Sequence, residues 1–181
     1  MTQSNLEHMP DFAFRMMSAV MAIEDCVHPT IDKRVVTFGI REGMTVVDYG
    51  CGPGRYVTRF ARLVGNRGKV YAVDVQPLAI EMVKRKVTKQ ALENIVPVLA
   101  QGYAIGLPDK VADMVCALDM FFALREPTVF LREVRRIIKP DGTLIIDDGH
   151  QSRQVTLRKI EASGSWRVME ETRDHLKCLP V

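Results

Sequence analysis

The sequence predicts an α/β fold: a doubly wound, mostly parallel seven-stranded sheet that ends in a C-terminal antiparallel hairpin. Three observations carry this. From residue 45 onward, short apolar runs alternate with segments at helical spacing, which implies parallel strands joined by crossover helices and covered on both faces. The run Val46 to Tyr49 leads into a turn with glycines at alternate positions, Gly50, Gly52 and Gly54, and then into a helical pattern with Val57, Phe60, Ala61 and Val64 on one face. Near the end, Trp166 to Glu171 and His175 to Leu179 are two strand-like runs placed to pair antiparallel.

Taken in order, residues Met1 to Met9 are polar. Asp11 is placed to cap a helix from about Phe12 to Val27 whose dense Phe and Met side chains suit either packed core or an adaptable lid. His28-Pro29 interrupts the chain, and a short helix from Thr30 to Phe38 stops at Gly39. The first strand is Thr45 to Tyr49, the second Val70 to Val73 with Asp74 at its tip, the third Val96 to Leu99, the fourth Ala112 to Leu118 and the fifth Thr143 to Ile146. Pro77 opens a helix reaching about Gln90, and Pro127 opens another with Phe130, Leu131, Val134, Ile137 and Ile138 inward. Lys139-Pro140-Asp141-Gly142 reads as a turn, and Gln151 to Ala162 as a further helix. We expect one domain overall, with 1–38 as a helical cover and 39–181 as the core.

Composition excludes several classes. A net charge of +3 is too small to argue for a nucleic-acid or membrane partner. The clusters Lys84-Arg85-Lys86, Arg132 with Arg135 and Arg136, and Arg158-Lys159 lie opposite apolar stripes without interleaved aromatics, as solvated helix faces do. Cys26, Cys51, Cys116 and Cys178 are scattered, with no C-x-x-C pair and no signal peptide, so reduced thiols and a cytoplasmic protein are expected. No apolar run approaches the ~20 residues that span a bilayer. No metal is expected, and a homodimer is left open.

The glycine turn sits where backbone N–H groups at a helix start are short of partners, which suits an anionic or strongly hydrogen-bonding ligand. It does not match a dinucleotide fingerprint: Arg55 stands where the third glycine belongs, Gly54 comes one residue early, and Pro53 lies within. Nor does it match a P-loop, which needs Gly-Lys-Ser/Thr. Asp74, at the tip of the second strand, is placed to accept hydrogen bonds from both hydroxyls of a ribose, and Val75 to pack on a base. With no lysine at the turn to neutralise phosphates, the ligand reads as a nucleoside with an amino-acid tail.

On these residues the sequence resembles the class I S-adenosylmethionine-dependent methyltransferases, in particular the small methyltransferase type 11 or UbiE-like group. VVDYGCGPGRY resembles the family's first motif, YAVDVQP the segment with the ribose-binding acid, LPDKVADMVCALDMFFALREP the region around the fourth strand, and IIKPDGTLIIDD the entry to the fifth. The resemblance implies a Rossmann-like methyltransferase fold and S-adenosyl-L-methionine as cofactor, with S-adenosyl-L-homocysteine as product. It implies that Gly50, Cys51, Gly52 and Gly54 present backbone to the methionine moiety and that Asp48 helps hold its ammonium. By the same resemblance Asp74 holds the ribose, Val75 flanks the adenine, Gly102, Tyr103 and Ala104 line the adenine pocket, and Leu118 offers its carbonyl to the methionine end. The chain departs from the family in two places. Tyr103-Ala104 replaces Asp-Ala, removing the acid that accepts from the adenine amino group, and Phe122-Ala123 replaces a His-His pair.

Methyl transfer from a sulfonium is chiefly a positioning task, with a base needed only where the acceptor must lose a proton. Asp119, beside the expected sulfonium, is the first candidate to contact the acceptor, and His150 the second. The expected acceptor is a small molecule, with an apolar one suggested by the Phe and Met side chains of the N-terminal helix. Two alternatives stand beside this reading: a non-catalytic cofactor-binding partner subunit, and a nicotinamide-dependent oxidoreductase, which the turn spacing disfavours.

Overall fold

The structure, a computed structural model, describes residues 9–27 and 31–181, the side chains of residues 26 and 27 excepted. The elements in chain order are α1 (Asp11–Val27), α2 (Ile31–Val36), β1 (Thr45–Tyr49), α3 (Val57–Val64), β2 (Lys69–Asp74), α4 (Pro77–Gln90), β3 (Ile95–Leu99), β4 (Ala112–Ala117), a single 3-10 turn (Phe121–Ala123), α5 (Pro127–Ile137), β5 (Ile138–Ile146), α6 (Arg153–Glu161), β6 (Trp166–Glu171) and β7 (Leu176–Pro180). The seven strands form one sheet in the order β3-β2-β1-β4-β5-β7-β6. β1 to β5 run parallel, and β7 pairs antiparallel with both β5 and β6. The hairpin expected at the C-terminus is therefore present, with β7 inserted between β5 and β6.

The parallel strands are buried on both faces because their side chains alternate between two apolar layers. Val46, Met114 and Cys116 point into one layer with α2, α3 and α4, while Val47, Val115 and Ala117 point into the other with α5 and α6. The chain goes outward from β1 to β3 and then returns to β4 on the other side of β1. Strand order thus reverses between β1 and β4, and a crevice opens at their carboxyl ends.

Two segments differ from the sequence reading. Lys139 to Gly142 does not end α5 before a separate strand; it lies inside β5, which starts at Ile138. The turn residues are absorbed as an irregularity, since Ala112 pairs with Ile138 and Met114 already with Thr143. Gly142 is required there because a Cβ would stand 2.6 Å from Ile138 Cγ1 and 3.0 Å from the Asp113 carbonyl oxygen. The second difference is α1. Among its described large apolar side chains only Phe14 is buried, packed on Leu78 and Ala79 of α4, while Phe12, Met16, Val20 and Ile23 are exposed. A helix set on the rim of the sheet has just one face to bury. The expected His28-Pro29 break and the first eight residues lie outside the described residues.

Gly68 joins α3 to β2 at a point with no room for a side chain: a Cβ would stand 2.4 Å from Val64 Cβ and 2.6 Å from the carbonyl oxygens of Met44 and Val64. Two of these neighbours are backbone and cannot rotate away. Gly68→Ala is expected to destabilise the chain by about 1–3 kcal/mol, read as a lower denaturant midpoint at unchanged m-value.

Candidate active site

A cavity of about 330 Å³ lies at the carboxyl ends of β1, β2 and β4, with Phe14, Met17 and Met21 of α1 on its wall. Its floor is the glycine loop. The N–H groups of Gly50 and Cys51 both donate to the Val73 carbonyl, at 2.8 and 2.9 Å, Gly54 N–H donates to the Cys51 carbonyl at 2.9 Å, and Gly52 N–H donates to Asp74 Oδ2 at 2.8 Å. The expectation of partnerless N–H groups in this turn is thus corrected at these four residues, because the loop folds back on the tip of β2. What the loop offers a ligand is room at Gly52, where a Cβ would meet nothing within 4 Å, whereas Gly50 is packed under Met120. Gly50 has φ +77°, and a Cβ there would stand 2.8 Å from Met120 Cγ.

Asp74 also accepts from Gln76 N–H at 2.8 Å, through Oδ1, so each carboxylate oxygen keeps lone pairs for the cavity it lines. Burial raises its pKa in spite of those backbone hydrogen bonds. Asp48 lies behind the loop, 1% exposed, and its Oδ2 has no hydrogen-bond partner among the described residues. Burial, with Asp74 and Asp119 adding repulsion, pushes the Asp48 pKa up to about 8.

Of the other sequence-derived positions, Cys51, Gly52, Val75, Gly102, Tyr103, Leu118 and Asp119 line the cavity. Gly54 and Ala104 do not. His150 is exposed and lines neither this cavity nor the next; its ring stands edge-on to Phe122 at 4.9 Å, and Phe122 is itself a wall residue. The Tyr103 carbonyl is taken by the Tyr49 hydroxyl at 2.6 Å.

Asp119 has φ +57°, an unusual conformation for a non-glycine residue. It is held there from two sides. Its N–H donates to both oxygens of Asp147 at 3.0 Å, while its Oδ2 accepts from the Tyr56 hydroxyl at 3.0 Å and from Arg55 Nη1 at 3.4 Å. Arg34 closes the network, donating to Asp147 Oδ2 at 2.6 Å and to the Tyr56 oxygen at 2.9 Å. Burial and the Asp119 charge push the Asp147 pKa up to about 6, against the pull of Arg34. A second, polar cavity of about 760 Å³ begins on the other side of Asp119, lined by Lys33, Arg34, Asp147, Asp148 and Arg173 among others.

Sequence reasoning passed over Arg34, Tyr56 and Gln76, and it placed Lys86 on a solvated helix face, where the structure turns it in toward the glycine loop. Gln76 is 3% exposed on the cavity wall. Its Nε2 donates to the Met9 carbonyl at 2.7 Å and to Asp11 Oδ1 at 3.3 Å, which leaves the buried Oε1 without a partner among the described residues. Lys86 donates to the Gly54 carbonyl at 3.0 Å, fixing the loop from α4. The adjacency of Gln76 to Asp74 was the one available signal; Arg34 carries none.

A family model described as "Methyltransferase domain" matches residues 40–176. The chain belongs to this family. The methyltransferase domain is also similar to the Ubiquinone/menaquinone biosynthesis C-methyltransferase UbiE of Shewanella sp. (strain W3-18-1), at 29% identity over 135 residues, covering 72% of this chain and 53% of that one. The chain thus spans about half the length of the curated relatives it matches. A crystal structure of a SAM dependent methyltransferase from Aquifex aeolicus superposes with a TM-score of 0.81 at 29% identity, covering 91% of this chain and 98% of the other. A putative S-adenosyl-L-methionine-dependent methyltransferase of Methanococcus maripaludis shares the fold, with a TM-score of 0.76 at 16% identity over 96% and 95% of the two chains.

S-adenosyl-L-methionine is accordingly the cofactor of this domain, and the residues present fit it. The free lone pairs of Asp74 suit ribose hydroxyls, the orphaned Asp48 oxygen suits an ammonium group, and the missing Gly52 side chain leaves the loop open to a ligand. In the fold without cofactor, Asp48 holds its proton well above the range of an unfolded aspartate. Its stabilising contribution is full below about pH 4 and is lost as pH rises to about 8, Asp147 losing its own share by about 6. An ammonium group nearby favours the ionised form. Calorimetric affinity for S-adenosyl-L-homocysteine is therefore expected to rise between pH 6 and 8, by up to about tenfold per pH unit, with proton release on binding. In Asp48→Asn both the rise and the proton release are expected to vanish.

Proposed function

We propose that the chain transfers the methyl group of S-adenosyl-L-methionine to a small acceptor carrying a polar group, and that the acceptor meets the sulfonium at Asp119. The observation that carries this is the position of Asp119 on the shared wall of the two cavities. One cavity has the size and donor set for the cofactor; the other opens onto Lys33 and Arg173, cations for which no ion pair is found among the described residues. The apolar acceptor suggested by the sequence gives way to a mixed one. Met120 and Phe122 offer apolar contact near the junction, and the polar cavity takes the remainder.

When bound, the cofactor supplies an electrophilic methyl on a positively charged sulfur. The protein's own part is to hold the acceptor atom in line and to compensate charge. Asp119 is fixed by its N–H on Asp147 and by the Tyr56 hydroxyl, so its carboxylate is preorganised to hold an acceptor N–H or O–H and to take a proton where one must leave. The unpartnered Gln76 Oε1 is the acceptor available to the adenine amino group in place of the missing acid, since the Tyr103 carbonyl is already used. α1 serves as the cover, lining the cavity through Phe14, Met17 and Met21.

The test is methyl transfer from labelled S-adenosyl-L-methionine to a panel of small amines, phenols and carboxylates. Asp119→Asn is expected to lower turnover by about 10²–10⁴-fold while leaving S-adenosyl-L-homocysteine affinity within about threefold. His150→Ala is expected to cost far less. Equal losses in the two variants would mean that Asp119 does not meet the acceptor.

A further inference from the structure

Arg55 is the one cationic side chain on the wall of the cofactor cavity among the described residues. The acceptor site uses it only as a distant partner of Asp119. Its guanidinium is committed elsewhere: Nε and Nη2 both donate to one oxygen, Asp25 Oδ1, at 2.8 and 2.6 Å, and Nη2 stands 3.7 Å from Glu24 Oε2. Asp25 and Glu24 belong to α1, so the residue next to the glycine loop ties down the C-terminal part of that helix. A guanidinium has five N–H donors in a planar fork. Asp25 engages two of them through a single oxygen, and Asp119 holds a third at 3.4 Å. Two donors remain for a carboxylate, one on Nη1 and one on Nη2, the second shared only with the 3.7 Å approach of Glu24.

The amino-acid end of the cofactor carries an ammonium and a carboxylate. Asp74 on the cavity wall and Asp48 behind the loop suit the ribose and the ammonium, and together with Asp119 they repel the carboxylate. Charge complementarity leaves one partner. We propose that Arg55 binds the α-carboxylate of S-adenosyl-L-methionine, and that Asp25 on α1 competes for the same guanidinium, so that cofactor loading loosens the tie between α1 and the glycine loop. This rests on the methyltransferase reading and adds to it a cofactor-sensing contact in the cover. A carboxylate arriving at Arg55 takes over charge that Asp25 otherwise compensates, and α1 keeps its other anchor, the Gln76 amide on the Met9 carbonyl.

The test compares S-adenosyl-L-methionine with its decarboxylated form, a pair that differs only in the carboxylate, by calorimetry on the full chain. The wild type is expected to prefer S-adenosyl-L-methionine by at least about tenfold. Arg55→Gln is expected to lose that preference, weakening S-adenosyl-L-methionine about tenfold or more and the decarboxylated form less than about threefold. Asp25→Asn, which removes the competitor, is expected to tighten S-adenosyl-L-methionine several-fold and leave the decarboxylated form unchanged. Should Arg55→Gln fail to fold, the wild-type preference and the Asp25→Asn result decide. Equal binding of the two ligands by the wild type, or an equal loss for both in Arg55→Gln, overturns the proposal while leaving the cofactor site standing. Binding of neither ligand by the wild type overturns the cofactor reading itself.

Discussion

The site depends on one carboxylate. Asp74 at the tip of β2 accepts from Gly52 N–H on one oxygen and Gln76 N–H on the other, both at 2.8 Å. The first bond shapes the glycine loop after β1; the second fixes the entry to α4. With the Val73 carbonyl taking Gly50 and Cys51, the carboxyl ends of two adjacent strands are locked into one surface. A ligand that bonds to Asp74 is therefore held by a group whose own position is already determined, which is where preorganisation comes from. The same residue couples the floor of the cavity to α1, because Gln76, whose N–H it accepts, reaches on to Met9 and to Asp11 in the first turn of that helix.

Most of the fold was legible because strand burial leaves a two-residue record. Val46 and Val47 go to opposite layers, as do Val115 and Cys116, and an unbroken apolar run of that kind has no other economical arrangement than a covered parallel strand. The floor of the site was legible for a related reason: its parts are local, a glycine turn and an acid at successive strand ends. The network around Asp119 was not. Arg34 meets Asp147 across 113 positions of sequence, and neither residue carries a pattern that names the other. The Lys139 to Gly142 turn misled because its composition is that of a chain reversal, whereas β4 accommodates it as an irregularity within one strand. The apolar residues of α1 misled because density alone does not say how many faces have a neighbour.

The charge distribution has its own logic. Asp48, Asp74, Asp119 and Asp147 cluster at the carboxyl ends of β1, β2, β4 and β5, and burial raises the pKa of three of them, Asp48, Asp74 and Asp147. Burying acids this closely costs stability unless cations offset them. Arg34 and Arg55 do so in part, at Asp147 and Asp119. The remaining deficit lies at Asp48, whose oxygen has no partner among the described residues. A ligand bearing two cationic centres, a sulfonium and an ammonium, answers that deficit by favouring the ionised form of Asp48, which otherwise keeps its proton. A neutral nucleoside of the same shape would gain little from the same site.

That logic also bears on how α1 is fastened. Its outer face is apolar and exposed, and its inner face meets the core mainly through Phe14, Met17 and the side chains of Leu78, Ala79 and Met82. One buried side chain and a few half-buried ones give the helix only modest hydrophobic anchoring. Its attachment then rests on polar ties at its two ends, Met9 and Asp11 to Gln76 and Asp25 to Arg55. Both ties end on residues of the cofactor cavity wall rather than on residues remote from it. A helix fastened in this way cannot be indifferent to what fills the cavity, because any ligand group that engages Gln76 or Arg55 changes the free energy of holding α1 down.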